Sequence, residues 1–303
     1  MTKIIYQMLI LFFMLVIGYI AAKRKILNEE SNKVMSRLVI YIASPALLLN
    51  TATSGQITGS KQTTLMIIGL SLIFFLVTPL LAKIVTAIVP FTRKNKGTYE
   101  AMYCFSNIGF MGIPVMSSIY GSEAVFYCAI FMIPFNMLVY TYGVLLLSQE
   151  KDAKIEWKKI CNPAVIAALA SLVIYFLDIK THIVFNETVS YLGAMTTPLA
   201  MVTIGSTLSF IPLKDVFLDV KMYLFALIKL LLIPVVIFFM FKPFITNTVL
   251  LGVMVVISGM PIGSNVTIIC NEYGGDYVTV TKGTFISTIL CLVTIPILAL
   301  TIL

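Results

Sequence analysis

Apolar residues are gathered along this chain into long runs, separated by short polar or basic stretches. A helix that crosses a bilayer needs about 20 mostly apolar residues. Ten runs approach or exceed that length: 4–22, 34–52, 64–89, 98–120, 124–148, 162–178, 186–209, 220–241, 247–271 and 276–302. The third and tenth are long enough to tilt or to extend past the hydrocarbon. The pattern predicts an all-α integral membrane protein of ten transmembrane helices.

Two of these runs are interrupted in mid-span. The fourth contains Ser106-Asn107-Ile108-Gly109-Phe110-Met111-Gly112-Ile113-Pro114, and the ninth Ser258-Gly259-Met260-Pro261-Ile262-Gly263-Ser264-Asn265. A helix broken inside lipid leaves backbone N–H and C=O groups without partners, at several kcal/mol each. Such breaks survive only when buried in protein or lining a watery cavity. One in each half of a chain, at comparable positions, points to the binding site of a secondary transporter.

The most polar stretch, 149–160, divides the chain near its middle, and landmarks recur across it. Tyr120-Gly121-Ser122-Glu123 follows the fourth run and Tyr273-Gly274-Gly275-Asp276 the ninth, a shift of 153; Pro45 and Pro198 repeat that shift, while Pro79 and Pro234 differ by 155. Five spans per half is an odd number, so the second copy runs through the membrane upside down. The expected organisation is one five-helix repeat over 1–148, a cytoplasmic linker over 149–161, and an inverted repeat over 162–303. Helices 4 and 9 then break and cross.

Composition agrees. Apolar residues make up 59% and charged ones only 11% of the chain, and the mean hydropathy is +1.02. Soluble domains have about 45–50% and about 25%, so these charges would not cover a water-exposed surface. The five cysteines lie in or beside apolar runs without a CxxC spacing and read as small buried hydrophobes. His182 is the only histidine, which argues against a His-built metal site or proton relay.

The net charge of +8 is topological rather than a nucleic-acid footprint, because the basic residues sit in short loops between apolar runs. Lys23, Arg24, Lys25, Arg93, Lys94 and Lys96 follow odd-numbered spans, as do Lys151, Lys154, Lys158 and Lys159; the opposite loops hold only Lys3, Lys61, Lys180 and Lys242. By the positive-inside rule both termini lie outside the cell membrane. The first run has its positive cluster behind it and reads as a retained span rather than a cleaved signal.

The breaks also suggest chemistry. Pro114 suits the first turn of the second half of span 4, and Ser264 or Asn265 the cap of the second half of span 9. Two half-helix N-termini carrying partial positive charge would then face an anion, typically a carboxylate. Asn107 and Asn265 offer amides beside the breaks, Ser106 and Ser264 hydroxyls, and Gly109, Gly112, Gly259 and Gly263 close approach. Gly259 and Gly263 also have a GxxxG spacing, whose plainer meaning is tight helix packing. Pro261 lies inside the second break. Ser44 before Pro45, and Asn136 after Pro134, are further polar candidates for the cavity. Lys83 lies near a span end and snorkels; Lys229 is deeper and is a candidate counter-charge. No Asp or Glu falls at mid-span.

The ten spans, the inverted halves, the Asn107…Pro114 and Pro261…Asn265 breaks, Gly18-Tyr19, Lys23-Arg24-Lys25-Ile26-Leu27 and Ser44-Pro45-Ala46-Leu47 together resemble the auxin efflux carrier family, bacterial members above all. The wider bile acid:sodium symporter-like carriers share the crossed-helix plan. The resemblance covers essentially the whole chain. It implies a scaffold of spans 1, 2, 6 and 7, often the dimer contact, and an elevator-like core of spans 3–5 and 8–10. It also implies a small organic anion such as malate or malonate as substrate.

The expected function is therefore a secondary carrier or facilitator for small organic anions in a homodimer, with H+ or Na+ as the candidate coupling ion and no cofactor. A sodium-coupled organic anion symporter is the alternative within transport. A membrane sensor or intramembrane enzyme is the alternative from another class. It has little to work with, since neither clustered acids nor a P-loop is visible.

Overall fold

A computed structural model describes residues 2–53, 61–148, 163–210, 218–273 and 275–301. The linker at 149–161 lies outside the described residues. Among those described the chain is helical throughout: α1 (Thr2–Lys23), α2 (Glu29–Thr53), α3 (Lys61–Ile88), α4 (Lys96–Cys104), α5 (Ile108–Tyr120), α6 (Ser122–Leu147) and α7 (Pro163–Phe176). Then come α8 (Ile183–Ala194), α9 (Thr196–Leu208), α10 (Val220–Phe241), α11 (Thr248–Ser258), α12 (Ser264–Glu272) and α13 (Tyr277–Thr301). Five of these, α2, α3, α6, α10 and α13, are long and apolar enough to cross a membrane. With the shorter apolar helices they make an all-α, multi-pass membrane protein.

Helix ends follow local chemistry. Asn28 caps α2 reciprocally with Ser31, each side chain bonding the other's backbone N–H at 2.8 Å. That box starts α2 five residues before the apolar run, because its first turns are polar. Four helices contain a wide π turn, and three of these turns end two residues before a proline: Ala43 before Pro45, Gly112 before Pro114, and Leu232 before Pro234. A proline ring clashes with the carbonyl four residues back and has no N–H. Widening the preceding turn relieves the clash while the helix continues.

The chain divides into two compact units, with a border inside α6 between Ile133 and Pro134. The first comprises residues 1–67, 109–133 and 162–211. In it α1 packs along α9 through reciprocal glycines: a Cβ on Gly18 would strike the Val202 carbonyl, and one on Gly205 the Leu15 carbonyl. Small residues let the two backbones approach, the usual device where lipid supplies no hydrophobic drive. The Lys23 amino group donates to the Ser209 carbonyl at 3.0 Å, serving the C-terminal end of α9. Ser171 joins α7 to α2 by donating to the Leu48 carbonyl at 2.8 Å. Phe13 and Ile17 on α1 are about 60% exposed, as lipid-facing side chains should be.

The second unit comprises residues 68–108, 134–161 and 212–303. Its aromatic core joins Phe75 and Phe105 to Phe135, and Tyr103 to Phe225 with ring centroids 4.8 Å apart. The non-helical stretches 105–107 and 259–263 lie in this unit, within the longer interruptions expected at 106–114 and 258–265 apart from Phe105, while Gly109–Pro114 belong to the first unit.

Candidate functional site

The two interrupted segments solve each other's backbone problem. They run antiparallel and form a single β-bridge centred on Ser106 and Ile262. The Asn107 N–H donates to the Pro261 carbonyl at 2.8 Å, and the Gly263 N–H to the Phe105 carbonyl at 3.0 Å. The remaining donors of the ninth-span break are also placed. Gly259 and Met260 donate to Val255 and Ile257, and the Ile262 N–H reaches the Ser287 hydroxyl at 3.3 Å. Pro261 has no N–H to place. Each donor in this buried stretch therefore has an acceptor, as a break at membrane depth requires.

Gly263 makes the crossing possible. A Cβ there would stand 3.1 Å from the Ser106 carbonyl oxygen. Gly259 caps the end of α11, and a Cβ there would meet Leu298, Pro234 and the Leu230 carbonyl. The two glycines flank a non-helical stretch, so the GxxxG packing motif does not form.

Lys229 closes the arrangement from α10. It sits in the π turn Ile228–Leu232, and only 1% of it is exposed. Its amino group donates to the Tyr103 carbonyl at 2.8 Å and to the Ser106 hydroxyl at 2.7 Å. The Ser106 hydroxyl in turn donates to the Ser258 carbonyl at 3.5 Å. Tyr103 lies in the last turn of α4 and Ser258 ends α11, so both carbonyls are among those an α-helix leaves unpaired at its C-terminus. Beside them is a small cavity of about 10 Å³, lined by Thr78, Cys104, Ser106, Lys229, Ser258 and the Phe74 and Phe75 rings. That is space for about one water molecule.

Two expectations need correction. Ser264 and Asn265 do not cap α12: Gly263 is the N-cap residue and makes no side-chain bond, while Ser264 and Asn265 are the first two helical residues. The cap goes to the glycine because the crossing leaves no room for a side chain there. The break in the fourth span covers only 105–107 rather than reaching Pro114: Ile108–Gly112 forms a π turn that runs into the α-helical stretch Ile113–Tyr120, with Pro114 in the first turn of that stretch as expected.

The candidate residues separate between the units. Asn107, Gly259, Pro261, Ser264, Asn265, Asn136 and Lys229 belong to the second; Ser44, Gly109 and Pro114 belong to the first. Asn136 and Ser44 are buried, and Asn107 and Asn265 are half-buried. Lys83 is exposed, its amino group 5.3 Å from the Tyr142 ring centre, in keeping with snorkelling. The Tyr142 hydroxyl donates to the buried Glu100.

Sequence reasoning missed Tyr103, Ser258 and Ser287. Ser287 left a trace, since Thr284, Ser287 and Thr288 share one helical face. Tyr103 and Ser258 act here through backbone carbonyls, which leave no mark in a sequence.

Comparison with known proteins agrees with this architecture. A family model described as membrane transport protein matches residues 3–299. An uncharacterized transporter of Methanothermobacter thermautotrophicus is 24% identical over 97% of this chain and 96% of its own length. An uncharacterized transporter of Methanocaldococcus jannaschii is 26% identical over 66% of this chain and 68% of its own. A provisionally named malonate transporter of Rhizobium meliloti is 22% identical over 97% and 94%. The chain belongs to the membrane transport protein family, the one that holds the auxin efflux carriers.

Proposed function

We propose that this protein is a secondary carrier of small organic anions, carboxylates above all, which binds its substrate beside the paired breaks. The observation that carries the reading is the bridge between 105–107 and 261–263. It holds two non-helical segments together inside a membrane protein, an arrangement found where half-helix ends serve a solute.

The start of α12 offers backbone N–H groups and the positive end of a helix dipole, with the half-buried Asn265 in its first turn. These are the groups that hold a carboxylate. Asn107 lies at the same crossing through its bond to Pro261. The relative named for malonate transport suits a dicarboxylate substrate. In this reading the cycle is of the elevator type, with the break-bearing unit as the moving body. The protein is a homodimer in the cell membrane with both termini outside.

Reconstitution into proteoliposomes tests the proposal. Labelled malonate or malate should exchange across the membrane well above protein-free vesicles. Replacing Asn107 and Asn265 together by Ala should lower the rate about tenfold or more, equivalent to about 1.4 kcal/mol of lost substrate stabilisation. Undiminished exchange in the double variant would remove the assigned site, and absence of carboxylate flux would remove the substrate class.

A further inference from the structure

The C-terminal ends of two helices inside a membrane pose an electrostatic problem that the N-terminal ends do not. Each carries roughly half a negative charge on its unpaired carbonyls, so α4 and α11, ending at Cys104 and Ser258, bring about one negative charge to this crossing. In hydrocarbon such a concentration requires a cation, and many carriers with unwound helices recruit one from solution, held by backbone carbonyls and hydroxyls. Here the oxygens are present, namely the Tyr103 carbonyl, the Ser106 hydroxyl and, one bond further, the Ser258 carbonyl. The position among them is filled by the Lys229 ammonium, at 2.7 and 2.8 Å.

Several features show that this is a built position. Lys229 is buried and carried on a π turn, a helix irregularity that is frequent at functional sites. Among the described residues no carboxylate forms a salt bridge with it; the oxygens bonded to its amino group are a carbonyl and a hydroxyl. A lone ammonium taken out of water costs several kcal/mol unless its donors are met. The end of α4 supplies one hydrogen bond and the Ser106 hydroxyl the other, while both helix ends supply opposing charge. The adjoining cavity, with Thr78 and Ser106 on its wall, adds oxygens that an ion could reach once the side chain is shortened.

We infer that Lys229 is a tethered cation occupying a monovalent-cation site formed by the ends of the two interrupted helices, so that the carrier needs no sodium. The site is latent. Shortening the side chain opens it to an alkali cation or a small alkylammonium ion of similar charge and size. This goes beyond the substrate reading above and does not depend on which solute is carried, because it can be tested by binding alone.

The test uses the purified full-length protein in detergent, melted in choline chloride, sodium chloride or methylammonium chloride at constant ionic strength. Wild type should melt at the same temperature in all three. Lys229→Ala should lose about 5 °C or more in choline and recover saturably in sodium or methylammonium. Lys229→Met, which keeps the bulk and removes the charge, should be destabilised without recovery in either salt. Sodium-dependent stabilisation of wild type would overturn the inference, and that measurement stands even if neither variant folds. A Lys229→Ala variant indifferent to both cations, or a Lys229→Met variant rescued as well as it, would overturn it equally. None of these outcomes bears on carboxylate exchange.

Discussion

Asn107 and Pro261 are joined by a 2.8 Å backbone hydrogen bond, although they lie in different halves of the sequence. With its companion from Gly263 to Phe105, this bond replaces the intrahelical partners that both broken spans forgo. The crossing is thus held by main chain, and side chains mainly make room for it.

Gly263 should tolerate little. Its φ of −66° is open to any residue, so the obstacle is space: an added Cβ meets the Ser106 carbonyl at 3.1 Å. Gly263→Ala should cost about 1–3 kcal/mol by overpacking, and Gly263→Val should prevent assembly. Melting curves in detergent and monodispersity on size exclusion check both. A Val variant that melts like wild type would show that the crossing is looser than described.

Ser287 should matter more than a serine in an apolar helix usually does. It accepts from the Ile262 N–H, a buried donor inside the break. Ser287→Ala strands that donor, at about 1–3 kcal/mol, while Ser287→Thr keeps an acceptor. The Ala variant should therefore melt lower than the Thr variant, and its Ile262 amide should exchange faster with deuterium.

Glycines in the first and second units should separate sharply by surroundings. Gly205→Leu places side-chain atoms in the Leu15 backbone and should abolish the α1–α9 packing. Gly69 on α3 has nothing within 4 Å of a built Cβ. Gly69→Ala should be neutral or stabilise by about 0.5–1 kcal/mol through helix propensity. Yields of folded protein and melting temperatures distinguish the two cases.

Topology can be read by chemistry. The described cysteines Cys104, Cys128, Cys270 and Cys291 are buried and should give little background with a membrane-impermeant maleimide. In the proposed orientation, with both termini outside, Lys180→Cys should label in intact cells and Arg24→Cys only after permeabilisation. The reverse pattern would invert the orientation.

Much of this was legible because membrane depth writes itself into sequence. Val220–Phe241 is found where its apolar run ends on both sides; glycine and proline marked the ninth-span break, while in the fourth only Ser106 and Asn107 of the expected stretch are non-helical. Glu29–Lys33 escaped the apolar window because a helix can begin in polar sequence when Asn28 and Ser31 cap it. The role of Gly263 was given to Ser264 and Asn265, since capping statistics favour their side chains and cannot register the carbonyl of a crossing segment. Lys229 was legible as unusual. Its acceptors were not, because two of the oxygens around it are backbone atoms of residues chosen for other reasons.

The attachment of Lys229 to its own polypeptide has an energetic corollary. In the proposed cycle, an ammonium that returns with the protein contributes nothing to net charge movement, so an anion carried without a coupling proton would cross with its charge uncompensated. In a cell with an interior-negative potential, each monoanion leaving would gain about 2.3 kcal/mol per 100 mV. Such a protein would act as a voltage-driven exit route and would accumulate acids only when they are exchanged for others.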